Sequence, residues 1–129
     1  MAAGGGHLLR CLSLAGALAE RGAQPIFAVG AEEARLIGRF APGLDPKLIR
    51  PTDIGQAVRT RACDAVVVAD YGIVEGDERT LRRYGCSTLM VIDELADRPH
   101  LADLLLDPGY GRTPADYAAL TPPRAQVLA

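Results

Sequence analysis

Three stretches of the chain hold residue types that could do chemistry. The first is "GGGH", Gly4 to His7. Glycines lack a Cβ and let backbone approach a ligand closely, and the helix they open points free N–H groups at it. His7 would then stand at or near the first helical position, on a mobile turn that faces solvent. A helix N-terminus disfavours imidazolium, so the ring should stay neutral near neutral pH and could accept a proton as a general base. The same four residues also suit a loose glycine tail with an exposed histidine, and the residue types do not choose between the two.

The second stretch is "DYG", Asp70 to Gly72, directly after the apolar run "AVVVA". Ligands of open parallel sheets bind outside the carboxyl ends of the strands. That placement lets Tyr71 touch a substrate by hydroxyl or by ring. It equally lets Tyr71 cover a strand end while Gly72 makes the turn. The third stretch is "VIDELADRPH", where Asp93, Glu94, Asp97, Arg98 and His100 crowd one loop. Adjacent carboxylates raise the question of a metal, but their spacing matches no metal motif. A polar loop with ion pairs and a capping aspartate is the reading preferred here. Neither a metal nor a cofactor is expected, and neither a Walker loop nor GxSxG occurs.

These residues need elements to hold them. A helix is expected from about His7 to Arg21, with Leu8, Leu12, Ala15 and Ala19 on one face and Cys11 and Leu18 beside them. Gly22 is its natural stop. "PIFAV" (25–29) reads as a strand. "AEEARLIGRF" reads as a helix with Glu32 and Glu33 in its first turn, where the dipole favours them. "APGLDPK" breaks it, "LIR" (48–50) is a short strand, and Thr52 or Asp53 caps a helix to about Arg61. Val66, Val67 and Val68 are consecutive and β-branched, which suits a strand buried on both faces of a parallel sheet. A helix follows from about Asp77 to Tyr84, closed by Gly85, with Arg79, Arg82 and Arg83 as its solvated face. "STLMVID" and "DLLLD" are further strands, "PADYAAL" a short helix, and "RAQVLA" the opening of another strand. Alternating strands and helices give an α/β class with a Rossmann-like parallel sheet.

The chain of 129 residues has room for one domain, and at 49% apolar and 23% charged it can build a core. A formal charge of -2 gives no reason to expect nucleic acid or an anionic membrane as partner. No apolar run reaches membrane-span length, and no secretory signal is read at the N-terminus. Cys11, Cys63 and Cys86 are odd in number and lack CxxC spacing, which argues against disulfide or zinc scaffolds. They read as small hydrophobes in a reducing cytoplasm.

Taken in order, "GGGHLLRCLSLAGALAERGA", "VVVADYG", "VIDELADRPHLADLLLD" and "DYAAL" resemble a known family across nearly the whole chain. It is the N-terminal domain of the UDP-2,4-diacetamido-2,4,6-trideoxy-β-L-altropyranose hydrolases of pseudaminic acid biosynthesis. The family's pattern is a strand, a glycine turn with GH, then RC in the helix. A segment close to DHYG follows, then IDDxxxRPH, an LLLD-like strand and a tyrosine-containing short helix. The resemblance implies a two-domain fold like the GT-B glycosyltransferases and a UDP-sugar substrate. It implies metal-independent attack of water at the anomeric carbon, with His7 as general base and Tyr71 in sugar binding. Gly5, Gly6 and Arg10 match the surrounding turn and helix, and Asp93 matches the first aspartate of the later motif.

Three departures leave the sugar open. Ala69 and Asp70 stand where the family has Asp-His, Glu94 replaces an aspartate, and "PGYGR" replaces an asparagine-containing segment. A glycine turn of this kind is normally fed by a strand. The expectation is therefore a single incomplete domain over 1–129 that lacks its first strand. The C-terminal domain, which carries most uridine and diphosphate contacts in such enzymes, would be required as well. Two alternatives stand beside the hydrolase. One is a GT-B glycosyltransferase N-terminal domain, in which the same histidine activates a sugar hydroxyl. The other is a non-catalytic remnant, favoured by the altered "ADYG".

Overall fold

The computed structural model describes residues 5–129. The chain forms two compact units, the first ending at Ile54 and the second running from Gly55 to Ala129.

In the first unit, helix α1 spans Gly5–Glu20, strand β1 Ala28–Val29, helix α2 Ala31–Phe40 and strand β2 Lys47–Leu48. β1 and β2 pair in parallel, Ala28 against Lys47 and Val29 against Leu48. The strand expected over 25–29 is shorter than its apolar run. Pro25 has no N–H to give a ladder, and Ile26 is half exposed. α2 matches its expected span, with Glu32 and Glu33 in the first turn, Arg39 in the last and Ile37 fully buried. α1 begins two residues earlier than expected. Its buried stripe, His7, Leu8 and Ala15, fades toward the C-terminus, where Leu18 and Ala19 are exposed.

A 3-10 turn at Pro51–Asp53 and the first residue of helix α3 (Ile54–Thr60) end the first unit, and the rest of α3 opens the second. Strand β3 (Ala65–Val68), helix α4 (Glu75–Arg83), β4 (Thr88–Ile92), β5 (Leu104–Leu106) and β6 (Gln126–Leu128) follow. The four strands form one parallel sheet in the order β3-β4-β5-β6. Val66 pairs with Leu89, Val91 with Leu105 and Leu106 with Leu128. The fold is α/β with parallel sheets and Rossmann-like, as the alternation of elements implied.

Burial peaks in β4. Leu89, Val91 and Ile92 are buried, and Leu105 of β5 is fully covered. β3 differs from its expectation of burial on both faces. It lies at one end of the sheet order, and only Val68 is buried while Val67 is 40% exposed. Three consecutive valines were therefore a sound mark of a strand and a poor mark of its depth.

Helix ends in both units close in the same way. The N–H of Ala23 bonds Leu18 O, that of Cys63 bonds Val58 O and that of Cys86 bonds Leu81 O. This six-to-one closure needs a left-handed residue before it. Gly22 (φ 90°) and Gly85 (φ 103°) supply it without strain, and Ala62 adopts φ 47°.

Arg82 corrects the reading of α4's basic residues as a solvated face. Its guanidinium donates to Asp103 Oδ2 at 2.6 Å, Leu101 O at 2.9 Å and Ser87 O at 2.8 Å, tying the helix end to the start of the sheet. Burial pushes the Asp103 carboxyl up. The N–H of Leu89 and the Arg82 guanidinium outweigh that and hold it below the usual range.

Candidate functional site

The residues singled out in the sequence fall on two parts of the chain. Gly5, Gly6, His7 and Arg10 lie on the first turns of α1. Gly4 lies outside the described residues. The expected glycine turn ahead of the helix is corrected at Gly5 and Gly6, which are themselves helical. Helix formation reaches back through them because its first N–H groups need no intrahelical partner, so an entry can be glycine-rich. A Cβ at either glycine would meet nothing within 4 Å among the described residues, so packing does not demand glycine there. His7 is the third residue of α1 and is buried at 8% exposure, where a solvent-facing ring was expected. Arg10, three residues on, is exposed.

The second set is built by one device used three times. β3, β4 and β5 each lead into an aspartate whose carboxylate closes a turn on the N–H two residues ahead. Asp70 Oδ1 accepts from Gly72 at 2.7 Å, Asp93 Oδ2 from Leu95 at 3.3 Å, and Asp107 Oδ1 from Gly109 at 2.7 Å. Aspartate suits this because its short side chain reaches its own backbone two residues on. At Gly109 the approach is so close that a Cβ would stand 2.8 Å from Asp107 Oδ1. Each turn pushes the residue after its aspartate out from the strand end. Asp70 does this turn-building work for Tyr71.

Tyr71 and Glu94, projected from adjacent strands, meet. The Tyr71 hydroxyl donates to Glu94 Oε1 at 3.0 Å. The Arg98 guanidinium sits over the Tyr71 ring, 5.7 Å from its centroid, and its Nη2 lies 3.8 Å from Asp93 Oδ1. Arg98 thus joins the two sequence-derived residues Tyr71 and Asp93 in one cluster. Asp93 is fully buried and lends Oδ2 to the N–H groups of Leu95 and Ala96 as well, with Ala96 held at φ 50°. The "VIDELADRPH" loop is therefore the capped, ion-paired loop expected of it. Its capping aspartate lies deeper than a surface loop would place it.

Below this cluster runs a buried polar network that the sequence did not signal. His100 Nδ1 is 2.7 Å from Glu78 Oε1, both side chains are fully enclosed, and Glu78 Oε2 accepts from the N–H of Leu101. Tyr117, also fully buried, donates its hydroxyl to Asp107 Oδ2 at 2.8 Å and lies 3.2 Å from Asp93 O. Arg112 donates to Glu94 O at 2.6 Å and Leu95 O at 3.0 Å and stands 3.6 Å from Asp107. Burial, the hydrogen bond to Asp107 and the charges of Asp93 and Asp107 push the Tyr117 phenol far up, against a weaker pull from Arg112. It stays protonated and serves as a donor. A trace of this network stood in the sequence as an aspartate at each strand end and a tyrosine in "PADYAAL". The pairing of Glu78 with His100, 22 residues apart, left none.

Two of the three cysteines, Cys11 and Cys86, are held as thiols. Burial pushes the Cys86 thiol up, and its Sγ–H donates to Thr88 O; burial raises Cys11 as well. Among the described residues no group of three or more His, Cys, Asp or Glu side chains could hold a metal ion. No helix among them is long and apolar enough to cross a membrane. No protein-family model matches the chain, and no curated protein matches it.

Proposed function

We propose that the chain is the N-terminal, sugar-handling part of a cytoplasmic nucleotide-sugar hydrolase of GT-B-like build. In this reading it acts on a UDP-linked 2,4-diacetamido-2,4,6-trideoxy hexose, and a C-terminal domain grips the nucleotide. The observation that carries the reading is the meeting of Tyr71 and Glu94 at the carboxyl ends of adjacent parallel strands. That is where open α/β sheets take their ligands. A phenol and a carboxylate side by side offer a donor and acceptors to sugar hydroxyls and acetamido groups. His7 is taken as the base that accepts a proton from water as it attacks the anomeric carbon, with Arg10 and the backbone at Gly5 and Gly6 beside it. Asp93 positions the Tyr71 neighbourhood through Arg98. The ordered resemblance of four motifs supports the same activity, and three free cysteines suit a reducing compartment.

The test is to incubate the protein, joined to its C-terminal domain, with the UDP-sugar and no acceptor. UDP should appear, and His7→Gln should slow its release about a hundredfold or more, the scale of a lost general base. Glutamine is chosen because His7 is buried and alanine would leave a void. UDP that appears only when a sugar acceptor is added would make the chain a glycosyltransferase domain. Turnover unchanged in His7→Gln removes His7 from the mechanism.

A further inference from the structure

Between β5 and the 3-10 turn at Pro114–Tyr117 the chain runs Pro108-Gly109-Tyr110-Gly111-Arg112. This loop is held from both sides. Asp107 Oδ1 accepts the N–H of Gly109, and the Cβ position of Gly109 lies 3.9 Å from Glu94 Cβ. Arg112 donates to Glu94 O and Leu95 O, and Gly111 takes φ 91°. Both flanks of the loop therefore touch the segment that bears Glu94. At its tip, between two glycines, Tyr110 is the lone side chain, and it is fully exposed. An aromatic ring left in water on a braced loop has apolar faces available to a ligand.

We infer that Tyr110 is a stacking platform for the hexose ring of the bound sugar and determines sugar specificity at the Tyr71–Glu94 site; this rests on the reading of that site as sugar-binding. Asp93 and Asp107, at the ends of β4 and β5, are buried and accept the N–H groups of Leu95, Ala96 and Gly109. Arg98 and Arg112 lie against these two carboxylates, and Arg112 also donates to two backbone carbonyls. Beside the loop, the Tyr71 hydroxyl and the Glu94 carboxylate form a donor–acceptor pair that suits a polyhydroxylated ring. The carboxylate of Glu94 accepts hydroxyl or amide protons, while the C–H face of the pyranose lies on the tyrosine. The flanking glycines add no side chain that would block either face of the ring.

The experiment measures binding of UDP-2,4-diacetamido-2,4,6-trideoxyhexose, the free sugar and UDP to the protein joined to its C-terminal domain. It compares the native chain with Tyr110→Ala, Tyr110→Phe and Tyr71→Ala. Tyr110→Ala should weaken the sugar and the sugar nucleotide about five- to tenfold, the scale of one lost aromatic contact. Tyr110→Phe should keep native affinity, and UDP should bind all four proteins alike. If Tyr110→Ala binds the sugar as the native chain does while Tyr71→Ala does not, the platform is refuted and the site reading stands. If UDP binding falls with Tyr110→Ala, the ring serves the nucleotide and the inference is wrong. Should the native chain bind UDP but gain nothing from the sugar, the site reading fails and the platform with it.

Discussion

Tyr117→Phe removes one oxygen from the most enclosed aromatic side chain of the second unit. The lost hydroxyl donates to Asp107 Oδ2 at 2.8 Å and lies 3.4 Å from Asp93 Oδ2. A hydrogen bond to a charged acceptor contributes about 1.5–3 kcal/mol. Neither carboxylate is stripped bare by the change. Asp107 keeps the N–H of Gly109 and Arg112 at 3.6 Å, and Asp93 keeps the N–H groups of Leu95 and Ala96. The expected loss is therefore near the middle of that range, about 2 kcal/mol, or roughly 8 °C in Tm at this chain length. Urea unfolding followed by far-UV circular dichroism measures it, since the chain has no tryptophan. Alkaline pH gives a second, signed test. The phenol is raised in the folded protein, by burial first and then by Asp107 and Asp93. Above the ordinary tyrosine value of about 10 the unfolded chain releases this proton and the folded chain holds it. The stability the hydroxyl confers is thus full below pH ~10 and falls by about 1.4 kcal/mol per pH unit above it. Phenylalanine has no such proton, so the gap between the two proteins should close within about two pH units. A difference under about 0.5 kcal/mol at neutral pH, or a gap that persists at high pH, would refute the assignment of the hydroxyl as a buried donor.

Gly55→Ala should destabilise the chain by about 1–2 kcal/mol, because the new Cβ would stand 2.6 Å from Tyr84 Cδ2, and overpacking outweighs the gain in helix propensity. Ala62→Gly should do the opposite, raising stability by about 1 kcal/mol, because Ala62 holds φ 47° at a helix end where Gly22 and Gly85 serve elsewhere; denaturant midpoints decide both. Arg82→Met should lower stability by about 1.5–3 kcal/mol through loss of the clamp on Asp103, Leu101 and Ser87. Because Asp103 is depressed in the folded state, the native chain's advantage is present above the ordinary aspartate range and lost as pH falls through the folded value, so the two proteins should converge in acid.

Local chemistry made much of this protein legible in one dimension. Glu32 and Glu33 marked the start of α2, glycines marked helix ends, and β-branched runs marked strands, because propensity, capping and turn formation act over a few neighbouring residues. The strand-end aspartates were visible too, and with them the place from which Tyr71 projects. Depth and partnership were not. Whether Val67 is covered depends on which strands lie beside β3. Whether Arg82 meets water depends on Asp103, 21 residues away. His7, expected on an exposed turn, lies on the buried stripe of α1 with Leu8 and Ala15. The pairing of Tyr71 with Glu94 arises only when β3 and β4 come into register, and that of Glu78 with His100 only when α4 packs against the chain ahead of β5; each joins residues more than twenty positions apart. Burial and hydrogen bonding at that range are properties of the packed chain, and no periodicity along it encodes them.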